Sequence, residues 1–160
     1  MPGHDDEFAD EGTEIDVDAL VLIVVGAHPK AEMFDRTIAY RLRQRMIGWL
    51  DQRFPTGGPR PLLPLVCSDV WYLNDQSLRE RPAVAVGGPG VNALSAYLAD
   101  KLPSAFVIDD VLMVQMDLEQ HQNIACCWGL SPSDTSSAVD VFTDRYLDAF
   151  MRSSLGQEAA

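Results

Sequence analysis

The sequence predicts a three-layer α/β domain with a mixed, mostly parallel central sheet. Three observations lead there. Apolar runs closed by glycine, ALVLIVVGA from Ala19 and AVAVGG over residues 83–88, have the pattern of strands buried on both faces. Between such runs lie stretches with apolar residues at helical spacing, the crossovers that parallel strands require. Near the end, two apolar runs are separated by a short polar segment, which predicts a late β-hairpin.

Each element follows in order. The first run closes at Gly26, and Pro29 stands where the first turn of a helix tolerates proline. Residues 30–54 place Phe34, Ile38, Leu42, Met46 and Trp49 on one stripe and most arginines on the other face, predicting an amphipathic helix on the sheet. PTGGPRP ends it. Residues 62–73 predict a second strand region, whose start at Pro64 suits an edge or a turn. After the strand in residues 83–88, GGPGVN leads into a helix with Val91, Leu94, Leu98 and Leu102 inward. Residues 105–108 predict a strand and Asp109-Asp110 a turn. Residues 112–117 and 124–128 then form the two arms of a hairpin joined by LEQHQN. A last helix from residue 131 to about 151 buries Val139, Phe142, Tyr146 and Phe150. The order β-α-β-β-α-β-β-β-α, with helices on both faces of the sheet, is that of a Rossmann-like or flavodoxin-like sandwich.

At 160 residues, 47% hydrophobic and 22% charged, the chain has the composition of one globular domain. No apolar run approaches the ~18 residues of a membrane span, and the acidic start lacks the features of a secretory signal, so a cytoplasmic protein is expected. The net charge of -12 is unevenly spread. Residues 1–18 hold eight acids and no lysine or arginine, leaving the rest of the chain at only -4. The expected organisation is a disordered acidic arm (1–18), a single α/β domain (19–152) and a frayed tail (153–160). An acidic excess argues against nucleic acid, which calls for clustered lysine and arginine. Residues 30–60 are locally basic, seven bases against three acids, and suit either the acidic arm or a partner surface. Cys67, Cys126 and Cys127 sit in apolar runs without metal-ligand spacing and read as core residues of a reducing compartment.

In open α/β sheets, ligands bind outside the carboxyl ends of the strands. Three strand-to-helix junctions should meet there if their strands are parallel. The first contributes Gly26, His28 and Lys30; the second, Gly87, Gly88, Gly90 and Asn92; the third, Trp128, Ser131 and Asp134. These ten are the candidate ligand-binding residues. Each also has a plain structural reading. His28 precedes a proline that holds it extended. The glycines suit a sharp turn and Asn92 suits a helix N-cap. Ser131 and Asp134 resemble a capping box, and Trp128 could floor a pocket or cover the core edge. A Ser131-His28-Asp134 triad has no GxSxG elbow to support it. Asp109, Asp110 and Asp117 read as turn and hairpin charges rather than metal ligands.

Residues 21–36, VLIVVGAHPKAEMFDR, resemble the opening of flavodoxin-like quinone reductases, which begin with an apolar strand and an Ala-His-Pro loop before a long helix. That resemblance implies a flavin phosphate held by the loop and the helix N-terminus. It covers about a tenth of the chain, and beyond Arg36 no aromatic flavin platform follows. GGPGVN is similar, over that one element, to a strand-turn-helix piece of archaeal surface-layer proteins. Two functions are therefore expected from different classes. One is a non-catalytic interaction or accessory module, with a protein partner or a second copy of itself and a ligand crevice at the strand carboxyl edge. The alternative is an enzyme binding a nucleotide or other small anionic ligand through the three loops. The sequence assigns no cofactor, metal or catalytic residue.

Overall fold

Six strands form one sheet, in the order β2-β1-β3-β6-β5-β4, whose central strands send side chains alternately into two apolar faces. The computed structural model describes residues 15–117 and 122–156. The arm as far as residue 14, most of the hairpin loop with His121, and residues 157–160 lie outside the described residues. The strands are β1 (Leu20–Val25), β2 (Leu63–Ser68), β3 (Ala83–Val86), β4 (Ser104–Ile108), β5 (Leu112–Met116) and β6 (Ile124–Gly129). β2, β1, β3 and β6 pair in parallel, whereas β5 is antiparallel to both β6 and β4. The mixed sheet and the late hairpin are thus as the sequence predicts. β2 lies at one edge, the position where Pro64 removes no ladder hydrogen bond from a neighbour.

The helices are α1 (Arg36–Arg53), α2 (Asp69–Asn74), α3 (Gln76–Arg79), α4 (Ala93–Leu98), α5 (Pro132–Arg145) and α6 (Leu147–Ser154). β1 is fully buried and feeds two cores. Val21, Ile23 and Val25 pack with Leu42, Met46 and Leu50 of α1 and Phe142 and Phe150 of α5 and α6. Leu20, Leu22 and Val24 pack on the other face with Tyr72, Leu78, Leu94 and Leu98 from α2, α3 and α4. Each large aliphatic group hidden this way contributes about 1.5–3 kcal/mol, so a strand feeding both cores anchors the whole domain. Cys67, Cys126 and Cys127 are buried thiols, as expected of core residues. Desolvation pushes Cys67 up to about 11 and Cys126 up to about 12, and raises Cys127 well above its ordinary value.

Four local expectations change. The second strand region ends at Ser68, whose hydroxyl accepts from Trp71 N and starts α2; residues 69–73 are helical, not extended. The last helix breaks at Tyr146 (φ -125°, ψ -16°), with no glycine or proline there. Tertiary contacts fix both sides of the break: Tyr146 donates its hydroxyl to Ala105 O, and Asp148 of α6 accepts from Trp49 Nε1 and Arg53. α6 then continues to Ser154, beyond the expected end. Finally, the first turn before α1 is a π turn, Ala31–Asp35, closed by Arg36 N–H on Ala31 O. Phe34 is 42% exposed and Asp35 is inside, so the expected apolar stripe begins one residue later than its aromatic.

At the start of the described residues, Asp16 caps a short 3₁₀ turn, Val17–Ala19, that runs directly into β1. No helix among the described residues is long and apolar enough to cross a membrane.

Candidate functional site

Because β1, β3 and β6 run parallel, the three predicted junctions do meet at the carboxyl edge of the sheet. Between them lies a crevice of about 420 Å³, lined by Lys30, Phe34 and Asp35 from the first, Gly88, Gly90 and Val91 from the second, and Gly129, Leu130, Ser131, Pro132 and Thr135 from the third. Of the ten candidate residues, Lys30, Gly88, Gly90 and Ser131 line it.

The other candidates serve the loops themselves. Gly26 is buried, and a Cβ there would run into the Val91 backbone carbonyl, so glycine permits the first two loops to touch. Exposed His28 accepts Lys30 N–H on Nδ1 (3.1 Å) and, through its carbonyl, Glu32 N–H, starting the helical turn. Gly87 has φ +111°, and a Cβ on it would meet Asp35 Oδ2 at 2.5 Å. Asn92 is buried with every polar contact inside the protein. Its amide donates to Val24 O and Val86 O (both 3.0 Å), tying the ends of β1 and β3, and its oxygen caps α4 at Leu94 N and Ser95 N. The cap reading of Asn92 holds, and no polar atom of its side chain is left over for a ligand.

Trp128 takes the second of its two readings, a cover at the core edge. Strand side chains alternate, and Trp128 shares its face with Cys126, on the α4 side of the sheet, while α5 covers the face of Cys127. Its indole lies beside Gly88 and donates to Gln115 Oε1 (3.3 Å). It does not line the crevice. Ser131 caps α5 by accepting Asp134 N–H and donates its hydroxyl to Asp134 Oδ2 (2.8 Å). Asp134 is thereby a capping partner, and its backbone packs on β6 where Gly129 leaves room.

Two residues absent from the candidate set control the site. Asp69, 5% exposed, accepts from Ala27 N (3.1 Å), Val70 N (2.7 Å) and Ala93 N (2.8 Å). A carboxylate of the chain itself thus sits where an anionic ligand would meet the first loop and the start of α4. Asp35, 6% exposed, is the reverse case: among the described residues its carboxyl makes no hydrogen bond or ion pair, and its oxygens are not sealed from solvent but open on the crevice. Burial pushes its pKa up to about 6, with no charged neighbour contributing. One signal for Asp35 was in the sequence, since it lies three and seven residues before Ile38 and Leu42 on the apolar stripe. Asp69 had none: it lies inside residues 62–73, which the apolar pattern reads as a strand region.

Asp109 and Asp110 form the tight β4–β5 turn, both at positive φ (45° and 56°), and Asp117 accepts from Gln122 N. No group of three or more His, Cys, Asp or Glu among the described residues is placed to hold a metal ion. A larger groove of about 740 Å³ lies at the opposite end of β1 and β2. Its two cations are engaged, Arg43 with Pro64 O and Arg60 with Asp51. No protein-family model and no curated protein sequence matches this chain.

Proposed function

We propose that the protein is a non-catalytic interaction or accessory module, working in the cytoplasm with a protein partner or a second copy of itself, through the crevice at the carboxyl edge of its sheet. The observation that carries this reading is the mouth of the crevice, where Phe34 and Leu130 stand 42% and 73% exposed over a cleft lined by three loops. Exposed apolar groups grouped at a concave site favour contact with a ligand or partner. The proposal keeps the division into an arm (1–18), one domain (19–152) and a tail (153–160), with the 3₁₀ turn from Val17 and the end of α6 at Ser154 joined to the folded part.

The strand order β2-β1-β3, with helices on both faces, supports a Rossmann-like or flavodoxin-like sandwich, to which the antiparallel β5 is an addition. The alternative, a nucleotide- or anion-binding enzyme, has less behind it. Asp69 occupies the amides at the first two loops, Ser131 and Asp134 close the start of α5, and the three thiols are buried. The His28 ring meets only a backbone amide among the described residues.

Titration of the full-length protein with a fragment library, followed by amide chemical shifts, tests the reading. Shifts concentrated at Lys30, Val91, Leu130 and Thr135 support it. Their absence at millimolar fragment, together with shifts elsewhere or none, overturns the crevice as the working surface.

A further inference from the structure

Asp35 gives the crevice a chemical preference. Buried polar groups are almost always hydrogen-bonded, and a carboxylate without a protein partner has to stay where water or a ligand can reach its oxygens. The other buried polar side chains around the loops obey this rule: Asp69 takes three amides, Asn92 makes four bonds, and Ser95 donates to Gly87 O (2.6 Å). Of the two that line the crevice, Thr135 is engaged by Gly129 N, whereas Asp35 has no partner in the protein among the described residues and its oxygens open on the crevice. It sits on a π turn, an irregularity that recurs at functional sites.

The charges on the surrounding elements do not answer it. Lys30, at the crevice lip, is exposed and forms no ion pair with Asp35; Arg36 is held by Glu32 (3.1 Å). On α5, Asp134 is tied to Ser131, and Thr135 accepts from Gly129 N. The second loop offers only glycines and Val91 there. The remaining walls, Phe34, Val91, Leu130 and Pro132, are apolar.

Building on the crevice reading above, we infer that the crevice binds a primary amine or guanidinium carried on an apolar stem, with Asp35 as its counter-ion. The cation can come from a small molecule or from a lysine or arginine side chain of a protein partner. A volume of about 420 Å³ suits a stem of arylalkylamine or arginine size. The ligand would supply the missing donors, and the apolar walls would hold the stem.

The test uses the full-length protein, with amide shifts reporting the crevice and the Asp35 carboxyl carbon reporting its ionisation. The probes are 2-phenylethylamine and agmatine, their neutral and anionic counterparts 2-phenylethanol and phenylacetate, and blocked arginine and lysine dipeptides. The expected result is that the cationic probes shift Lys30, Val91, Leu130 and Thr135, lower the Asp35 pKa by at least about one unit, and bind about tenfold more tightly at pH 7.5 than at pH 5. Preference for the dipeptides over the free amines would assign the cation to a protein partner, and the reverse to a small molecule. Asp35→Asn should lose at least about tenfold in amine affinity while binding 2-phenylethanol as before. Lys30→Ala controls for a swinging internal partner: if it raises the Asp35 pKa of the free protein, Lys30 is the counter-ion and the inference fails. Equal or tighter binding of 2-phenylethanol or phenylacetate overturns the cation preference and leaves the crevice reading standing. No crevice shift with any probe, or with the fragments, overturns both.

Discussion

Asp35 and Asp69 are the same residue type, buried to nearly the same degree, on opposite sides of the end of β1. Asp69 belongs to the α2–α4 side and is saturated by three backbone amides from two loops and its own helix. Asp35 belongs to the α1 side, has no protein partner among the described residues and opens its oxygens on the crevice. Burial alone therefore does not define what a carboxylate does. The partners decide: where backbone donors converge the acid holds the fold together, and where none do it is an open valence that the fold tolerates. The difference also weighs against phosphate at this edge, since Asp69 takes the amides of Ala27 and Ala93 and the carboxyl that faces the crevice is itself an acid.

The sharpest way to break this contrast is to delete each acid. Asp69→Ala strands three partly buried N–H groups and should cost about 3 kcal/mol in urea-monitored unfolding, with an unchanged m-value. A cost below about 1 kcal/mol would mean that the loops hold without it. Asp35→Asn should act in the opposite sense. The folded Asp35 pKa is raised from 3.8 to about 6, so the native state binds the proton more tightly than the unfolded chain. Asp35 therefore favours folding below about pH 4, and that advantage is lost as pH rises through 6. Unfolding curves of Asp35→Asn and the parent protein should nearly coincide at pH 4, and at pH 7 the variant should be the more stable by roughly 1–2 kcal/mol, solvent in the crevice screening part of the full effect. A variant less stable at pH 7 would show that Asp35 has a hidden partner.

Smaller effects sharpen the same distinction at the third and first loops. Ser131→Ala removes the α5 cap and should cost about 1 kcal/mol, visible as a lowered thermal midpoint. His28→Ala removes one exposed hydrogen bond and should change stability by less than about 0.5 kcal/mol. A larger loss at His28 would give the first loop a structural weight that its exposure does not suggest.

Much of this was readable from the chain. Continuous β-branched runs identified β1 and β3, Pro64 pointed to an edge strand, and Asp109-Asp110 marked the turn between β4 and β5. The meeting of three loops followed from parallel pairing alone. Ser131 and Asn92 were recognisable as caps because capping chemistry is local. Trp128 could have been placed on the far face by counting in twos from Cys126, since alternation along a strand is strict. The π turn and the break at Tyr146 carry no such mark, as each depends on contacts with residues distant in sequence or on one extra residue in a turn.

The sequence by itself determined the α/β class, the mixed sheet, the caps at Asn92 and Ser131 and the edge at which the loops gather, because periodicity and capping act over a few residues. Only the tertiary structure decided which polar groups face each other across those loops. Whether an aspartate finds three amides or none depends on backbone brought together from residues 27, 69 and 93, and no local pattern encodes that meeting.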